Sequence, residues 1–339
     1  MRELPFIQNM SPANLARVFI TRRLPQVDEL EQLHEIAVVE TWSERQPPPY
    51  SVLVEKVKSL DGLLCLLTDS IDQQLLEMAP SLKVISQMAV GYDNIDIPKA
   101  TARGIPVGNT PGVLTNATAD LTWALIMTAA RRIVEAQSFV RDGQWLTWEP
   151  TLLLGADLSV STLGIVGLGR IGQAVARRAK GFDMKILYYS RHRLEPSLEE
   201  SLGVEYAELE TLLSESDFIT LHTALSAETY HLIGDRQFQL MKSSAILINT
   251  ARGSIVDPQA LYQALSTNQI AGAALDVTEP EPISMDSPLL KLDHVIITPH
   301  IGSASYQTRA KMAQMAINNL IAGLKGKRLP HCVNDELYR

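Results

Sequence analysis

The sequence predicts an α/β protein made of two doubly wound parallel sheets, the first domain discontinuous and a cleft between the two. Three observations carry this reading. Short apolar runs of strand length alternate with helical stretches along most of the chain, the pattern of parallel strands covered on both faces. A glycine-rich turn sits between one such strand and a helix, at Gly167-Leu168-Gly169-Arg170-Ile171-Gly172. The rhythm then breaks near Thr110-Pro-Gly112, where a helix too long for a simple crossover follows.

Taken in order, residues 1–16 read as a weakly structured lead-in and Arg17–Thr21 as the first strand. A helix around Gln26–His34, a strand at Ile36–Val39 and a helix at Tyr50–Leu60 follow; Pro47, Pro48 and Pro49 form a loop that continues neither element. Strands are expected at Leu63–Leu67 and Lys83–Met88, with a helix at Asp72–Met78 between them. Asn116–Phe139 reads as one long helix, and Arg141 to Pro150 as a loop bearing Trp145 and Trp148. Strands at Phe218–Leu221, Ala245–Ile248, Ile270–Ala274 and Val295–Thr298 precede a last helix at Ser303–Leu324. The chain thus starts one domain (1–115), builds a second (116–303) and returns to the first by its last helix (304–339), with linkers near 112–116 and 300–304 as a hinge.

The stretch Ser161–Arg193 is the most specific. Leu163–Val166 is a buried-strand run, Ile171, Val175 and Ala179 recur at helical spacing, and Met184–Tyr189 is a second strand. This is the βαβ dinucleotide-binding pattern: Gly167 allows the tight turn, Gly169 lets backbone approach a pyrophosphate, and Gly172 lets the helix lie close on the strand. An ordinary tight turn is the bland alternative, and the flanking strands weigh against it. The second strand ends in Ser190-Arg191-His192-Arg193 with no carboxylate in reach. An acidic residue there would hold a ribose 2′-hydroxyl, whereas guanidinium groups bind a 2′-phosphate, so the reading is NADP(H). The alternative is a solvated basic turn.

Bulk properties exclude several classes. A net charge of −8 makes the Arg191–Arg193 cluster local and argues against nucleic-acid binding. No apolar run approaches the roughly 18 residues of a membrane span. The first residues lack a secretory hydrophobic stretch. Two cysteines, Cys65 and Cys332, make no disulfide framework, and seven histidines show no metal-ligand spacing. A reduced, cytoplasmic setting and no metal are expected.

Four further segments fall at strand ends, where doubly wound sheets bind ligands. Arg252, in Asn249-Thr-Ala-Arg-Gly253, could clamp a carboxylate, or be a surface arginine in a turn. Asp276 to Pro282 supplies carboxylates, and Thr298-Pro-His300-Ile-Gly302 a histidine suited to general acid work. An acidic surface turn and a helix-capping segment explain those two equally well. Gly91, in Met88 to Asp96, could present backbone N–H groups to an anion, or mark a turn with Asp96 capping the next helix.

The ordered set AVGYDNID, GLGRIG, INTARG, DVTEPEP and TPHIGSA resembles the D-isomer-specific 2-hydroxyacid dehydrogenase family from about Arg17 to the last helix. Within the family, LLTD at 66–69, SRHR and the tryptophan loop look most like glyoxylate/hydroxypyruvate reductases. The resemblance implies an NADPH-preferring reduction of glyoxylate and hydroxypyruvate. It implies that Arg252 orients the 2-oxo acid, His300 donates the proton, and Glu281 keeps His300 protonated. Gly167–Gly172, Ser190–Arg193, Thr223, Thr250, Ala251, Asp276 and Gly302 would line the cofactor, with Asp276 facing the nicotinamide carboxamide. Leu67, Thr68 and the backbone of Val90 and Gly91 would cradle the substrate carboxylate. Trp148 would limit the pocket of a partner subunit in a homodimer. Alanine at 224 departs from the family's usual proline in His222-Thr-Ala224-Leu-Ser226 and bears on loop stiffness. A broader 2-oxo acid reductase, or a non-catalytic dinucleotide sensor, are the alternatives.

Overall fold

A computed structural model describes residues 15–339; the lead-in expected at 1–16 lies almost wholly outside the described residues. Two compact units result, one running up to Leu114 and resuming over Ser305–Arg339, the other Thr115–Ala304. Both are built on all-parallel sheets, the α/β class that the alternation predicts.

In the first unit, β1 (Ala16–Ile20), α1 (Asp28–Ile36), β2 (Ala37–Thr41), α2 (Tyr50–Val57), β3 (Gly62–Cys65), α3 (Gln73–Glu77), β4 (Val84–Gln87), α4 (Ile97–Ala102) and β5 (Val107–Gly108) follow one another. The five strands lie in the order β2-β1-β3-β4-β5. β3 and β4 are buried at every position, which is why they read as unbroken apolar runs rather than as alternation. Asp72 and Asp96 cap α3 and α4, each carboxylate accepting a backbone N–H three residues on. The short strand β5 and the helix α4 have too few residues to show a period.

The second unit contains α5 (Thr115–Ala130), α6 (Ile133–Arg141), β6 (Thr162–Val166), α7 (Arg170–Ala179), β7 (Lys185–Tyr189), α8 (Pro196–Leu202), β8 (Glu205–Tyr206) and α9 (Leu209–Glu215). Next come β9 (Phe218–Leu221), α10 (Asp235–Leu240), β10 (Ile246–Asn249), α11 (Pro258–Ser266), β11 (Gly272–Leu275) and β12 (Val295–Ile297). Its seven strands run β12-β11-β10-β9-β6-β7-β8, so the order reverses between β6 and β9. One apolar core, including Ile165, Val175, Tyr188 and Ile248, fills one side of the sheet; a second, including Leu213, Ile219, Leu247 and Leu261, fills the other. Burying each such side chain contributes roughly 1.5–3 kcal/mol.

The helix expected as one piece over 116–139 is two. Arg132 adopts a left-handed conformation (φ 52°) between α5 and α6. The Ala130 carbonyl accepts the N–H of Ala156 at 2.9 Å, so the segment leading into β6 takes an acceptor that helix continuation would use.

The last helix, α12 (Tyr306–Leu324), returns to the first sheet. Ser305 caps it, so it begins three residues later than the sequence pattern suggests. Met312, Ala316, Ile317 and Leu320 pack with Val18, Ile20, Leu64 and Val84. A Cβ at Gly323 would stand 2.4 Å from Val84, so only glycine permits this approach.

Candidate active site

The reversal of strand order places the ends of β6 and β9 side by side, the position where doubly wound sheets open a crevice for ligands. Gly167 follows β6 with φ 95°, and a Cβ on it would stand 2.7 Å from the Thr223 nitrogen of the turn after β9. Gly172, on the first turn of α7, has its Cβ position 2.2 Å from the Gly167 carbonyl. Helix, turn and the β9 end are thus pressed together backbone to backbone. At Gly169, by contrast, nothing lies within 4 Å of a Cβ, leaving a bare backbone at the helix N-terminus. That cradle fits the pyrophosphate of a dinucleotide: unobstructed backbone at the opening turn of a ten-residue helix. Leu168, Arg170 and Ile171 complete the turn, and the Gln173 side-chain amide ties it by donating a hydrogen bond of 3.2 Å to the Leu168 carbonyl.

At the end of β7, Arg191 and His192 are exposed, and the Ser190 hydroxyl donates to the His192 carbonyl at 2.6 Å. Arg193 requires a correction: a carboxylate does reach it. Glu199, from α8, accepts Nε and Nη2 of Arg193 at 2.9 Å each, and the buried Tyr188 hydroxyl at 2.6 Å. The Arg193 guanidinium, followed by the Tyr188 hydroxyl, holds the Glu199 carboxyl down at about 2. The other face of Arg193 lies 5.5 Å over the Tyr206 ring. Glu199 was missed because it sits six residues beyond Arg193 on a separate helix.

The remaining candidates stand at the carboxyl ends of β10, β11 and β12, which are sheet neighbours. After β10, Asn249 folds the turn on itself, accepting the Ala251 N–H at 3.0 Å and donating to the Arg252 carbonyl at 2.8 Å. Thr250 is anchored by a hydroxyl contact of 3.0 Å to Thr122 of α5. Arg252 is half-buried, with Nη1 donating to the Ala251 carbonyl at 2.9 Å. After β11, buried Asp276 uses both carboxylate oxygens on one segment: the Thr298 hydroxyl at 2.6 Å, the Ile301 N–H at 2.8 Å and the Gly302 N–H at 2.7 Å. Its carbonyl accepts the His300 N–H at 2.9 Å. Asp276 therefore shapes the turn in which His300 takes a left-handed conformation (φ 53°), a conformation that needs surrounding support.

His300 and Glu281 meet. Nδ1 of the imidazole lies 2.6 Å from Glu281 Oε1, and a carboxylate can only accept, so Nδ1 carries a proton. Nε2 is then the nitrogen available for proton transfer. A second histidine, His222, is unsuited to that work: desolvation pushes it down to about 3, and its Nε2 lies 2.7 Å from the Thr220 hydroxyl. No group of three or more His, Cys, Asp or Glu suited to a metal occurs among the described residues.

In the other unit, Leu67 and Thr68 follow β3, and Val90 and Gly91 follow β4. Asp69, the last residue of LLTD and given no role of its own in the sequence reading, organises the first turn by accepting the Thr21 hydroxyl at 2.5 Å and the Leu66 N–H at 2.8 Å. Asn109 and Gln87 hold the second through the Val90 and Gly91 carbonyls at 2.9 and 3.0 Å. Trp148 is 80% exposed, on the loop after α6.

A switch-point glycine turn with a cationic strand end defines a dinucleotide-binding protein of the doubly wound α/β class. Comparison with known proteins narrows this: residues 123–302 match the model of the D-isomer specific 2-hydroxyacid dehydrogenase NAD-binding domain, and the chain belongs to that family. It is 54% identical to a glyoxylate reductase of Korarchaeum cryptofilum over 95% of this chain and 97% of the relative. Among solved structures it resembles the TT0316 protein of Thermus thermophilus (TM-score 0.87, 46% identity, 94% of this chain and 99% of that one). It also resembles an NADPH-dependent glyoxylate/hydroxypyruvate reductase of Sinorhizobium meliloti in complex with NADP and malonate (TM-score 0.83, 31% identity, 94% and 97% covered).

Proposed function

We propose that this protein is an NADPH-preferring reductase of small 2-oxo acids, converting glyoxylate to glycolate and hydroxypyruvate to D-glycerate. The observation that carries the reading is the His300–Glu281 pair at 2.6 Å, at the carboxyl ends of β12 and β11, next in the sheet to β10, which Arg252 follows. Reducing a carbonyl places negative charge on its oxygen, and a positioned acid and a guanidinium stabilise that charge where it develops. When bound, NADPH supplies the hydride. Glu281 accepts the Nδ1–H and holds the ring in one orientation, so the proton that reaches the carbonyl oxygen comes from Nε2. Arg252 orients the acid through its carboxylate and carbonyl, and Leu67, Thr68, Val90 and Gly91 hold the carboxylate. Arg191, with whatever donor capacity Glu199 leaves to Arg193, favours the 2′-phosphate. The names borne by the Korarchaeum and Sinorhizobium relatives support both the substrate and the cofactor.

Steady-state rates with both nucleotides test the cofactor reading: kcat/KM is expected to be higher with NADPH, and a preference for NADH would overturn it. His300→Ala should lower turnover by about 10²–10⁴ on glyoxylate, the usual contribution of a general acid. Unchanged turnover would remove His300 from the chemistry.

A homodimer belongs to the same reading. Ile133, Val134, Val140, Trp145, Leu146, Trp148, Leu154 and Val160 are all at least half exposed within one 28-residue stretch, an apolar concentration that suits a partner surface.

A further inference from the structure

The loops carrying Arg252 and Glu281 are clamped together by a residue with no part in the proposed chemistry. At Gly253 the two backbones touch: a Cβ there would stand 2.0 Å from the Thr278 carbonyl oxygen. One residue on, the Glu279 carboxylate divides its two oxygens. Oε1 accepts the Ser254 hydroxyl at 2.9 Å, two residues from Arg252. Oε2 lies 2.6 Å from His231 Nε2. His231 is fixed in its turn: its N–H donates to the Ser254 carbonyl at 2.8 Å, the Tyr230 ring stacks on it at 4.0 Å, and Asp257 Oδ2 lies 3.7 Å from Nδ1. The neighbouring backbone continues the contact, with Ile233 paired to Val256 in a parallel bridge. Three segments, 231–233, 252–257 and 278–281, therefore converge on one carboxylate. An exposed ion pair contributes little to stability. This one is 28% exposed on each side, and its geometric consequence lies two residues away in both directions, at Arg252 and at Glu281.

We infer that Glu279 is a positioning residue that sets the spacing between Arg252 and the Glu281–His300 pair, with Ser254 and His231 as its anchors. The inference rests on the proposed roles of Arg252, Glu281 and His300. A general acid misplaced by a fraction of an ångström loses rate chiefly in the chemical step, whereas the glycine turn that would hold the pyrophosphate follows β6, away from the clamp.

The test compares Glu279→Ala with Glu279→Gln in the full chain. The amide oxygen keeps an acceptor for Ser254, and the NH₂ can donate to His231 Nε2 in the ring's Nδ1–H tautomer, so Gln should retain the clamp while Ala removes it. Expected for Ala is a fall in kcat of tenfold or more on glyoxylate. The NADPH Kd should change much less than kcat, and the isotope effect on kcat with 4-deuterated NADPH should rise; Gln should return kcat to within about threefold. A fall in kcat that follows a fall in folded fraction with an unchanged isotope effect, or no fall at all, would overturn the inference. A readout independent of turnover separates it from the reading beneath: the downfield imidazole N–H proton of His300, assigned by its loss in His300→Asn. That resonance should broaden or move in Glu279→Ala and stay in place in Glu279→Gln; if it is unmoved in both, Glu279 does not position the pair. A parent enzyme idle on every 2-oxo acid would remove the proposed function, leaving the proton resonance to decide the clamp.

Discussion

Charge at single residues is divided more finely than residue types suggest. Arg191 and Arg193 look equivalent in SRHR, yet Arg193 spends two nitrogens on Glu199 and stacks on Tyr206. The partner predicts a pH signature. The folded Glu199 carboxyl titrates at about 2 against an ordinary 4.5, so the unfolded chain takes up its proton first as pH falls. Its contribution to stability is complete above about pH 4.5 and is lost on descent toward 2. Glu199→Gln should therefore lower the Tm by a constant amount between pH 6 and 8, and that gap should close as pH falls from 4.5. A gap independent of pH across that window would mean Arg193 does not depress Glu199. Histidines divide similarly: tertiary surroundings separate His300, paired with Glu281, from His222, kept neutral by desolvation.

Elements were legible where burial writes a pattern. Strands β3, β4, β9, β10 and β11 are buried at every position, and their apolar runs mark them to within one or two residues. Two-residue strands such as β5 and β8 carry no period to read. The break between α5 and α6 has no glycine or proline to announce it, since its cause is an acceptor taken by Ala156 from elsewhere in the unit. Close backbone contacts likewise appear only in three dimensions. Gly253→Ala adds one methyl group against the Thr278 carbonyl at 2.0 Å, and backbone must move to admit it. We expect a loss of about 1–3 kcal/mol of stability, measured by denaturant titration, together with lowered kcat. An alanine variant of parental stability and activity would show that the two loops are free to separate.

For the whole molecule, the apolar stretch between Ile133 and Val160 is the feature most at odds with a chain that stays alone in water. Light scattering is expected to give twice the 37.4 kDa chain mass, and replacing Trp145 and Trp148 by Ser should shift the population toward the monomer. A parent protein that runs as a monomer at micromolar concentration would leave that surface without its proposed partner. No described helix is long and apolar enough to cross a membrane.

Class of fold, the longer strands, the glycine turn and the strand-end positions of Arg252, Asp276 and His300 all followed from the linear chain. Each is local: a buried parallel strand is apolar along its length, and a phosphate-binding turn needs its glycines at fixed spacing. The companions of those residues came only with tertiary structure. Glu199 on Arg193, Asp276 beneath the His300 turn, Ala156 on the Ala130 carbonyl, and Glu279 between Ser254 and His231 are pairings across elements. Nothing in sequence spacing encodes them, because the partner's position is fixed by how the sheet and its helices pack.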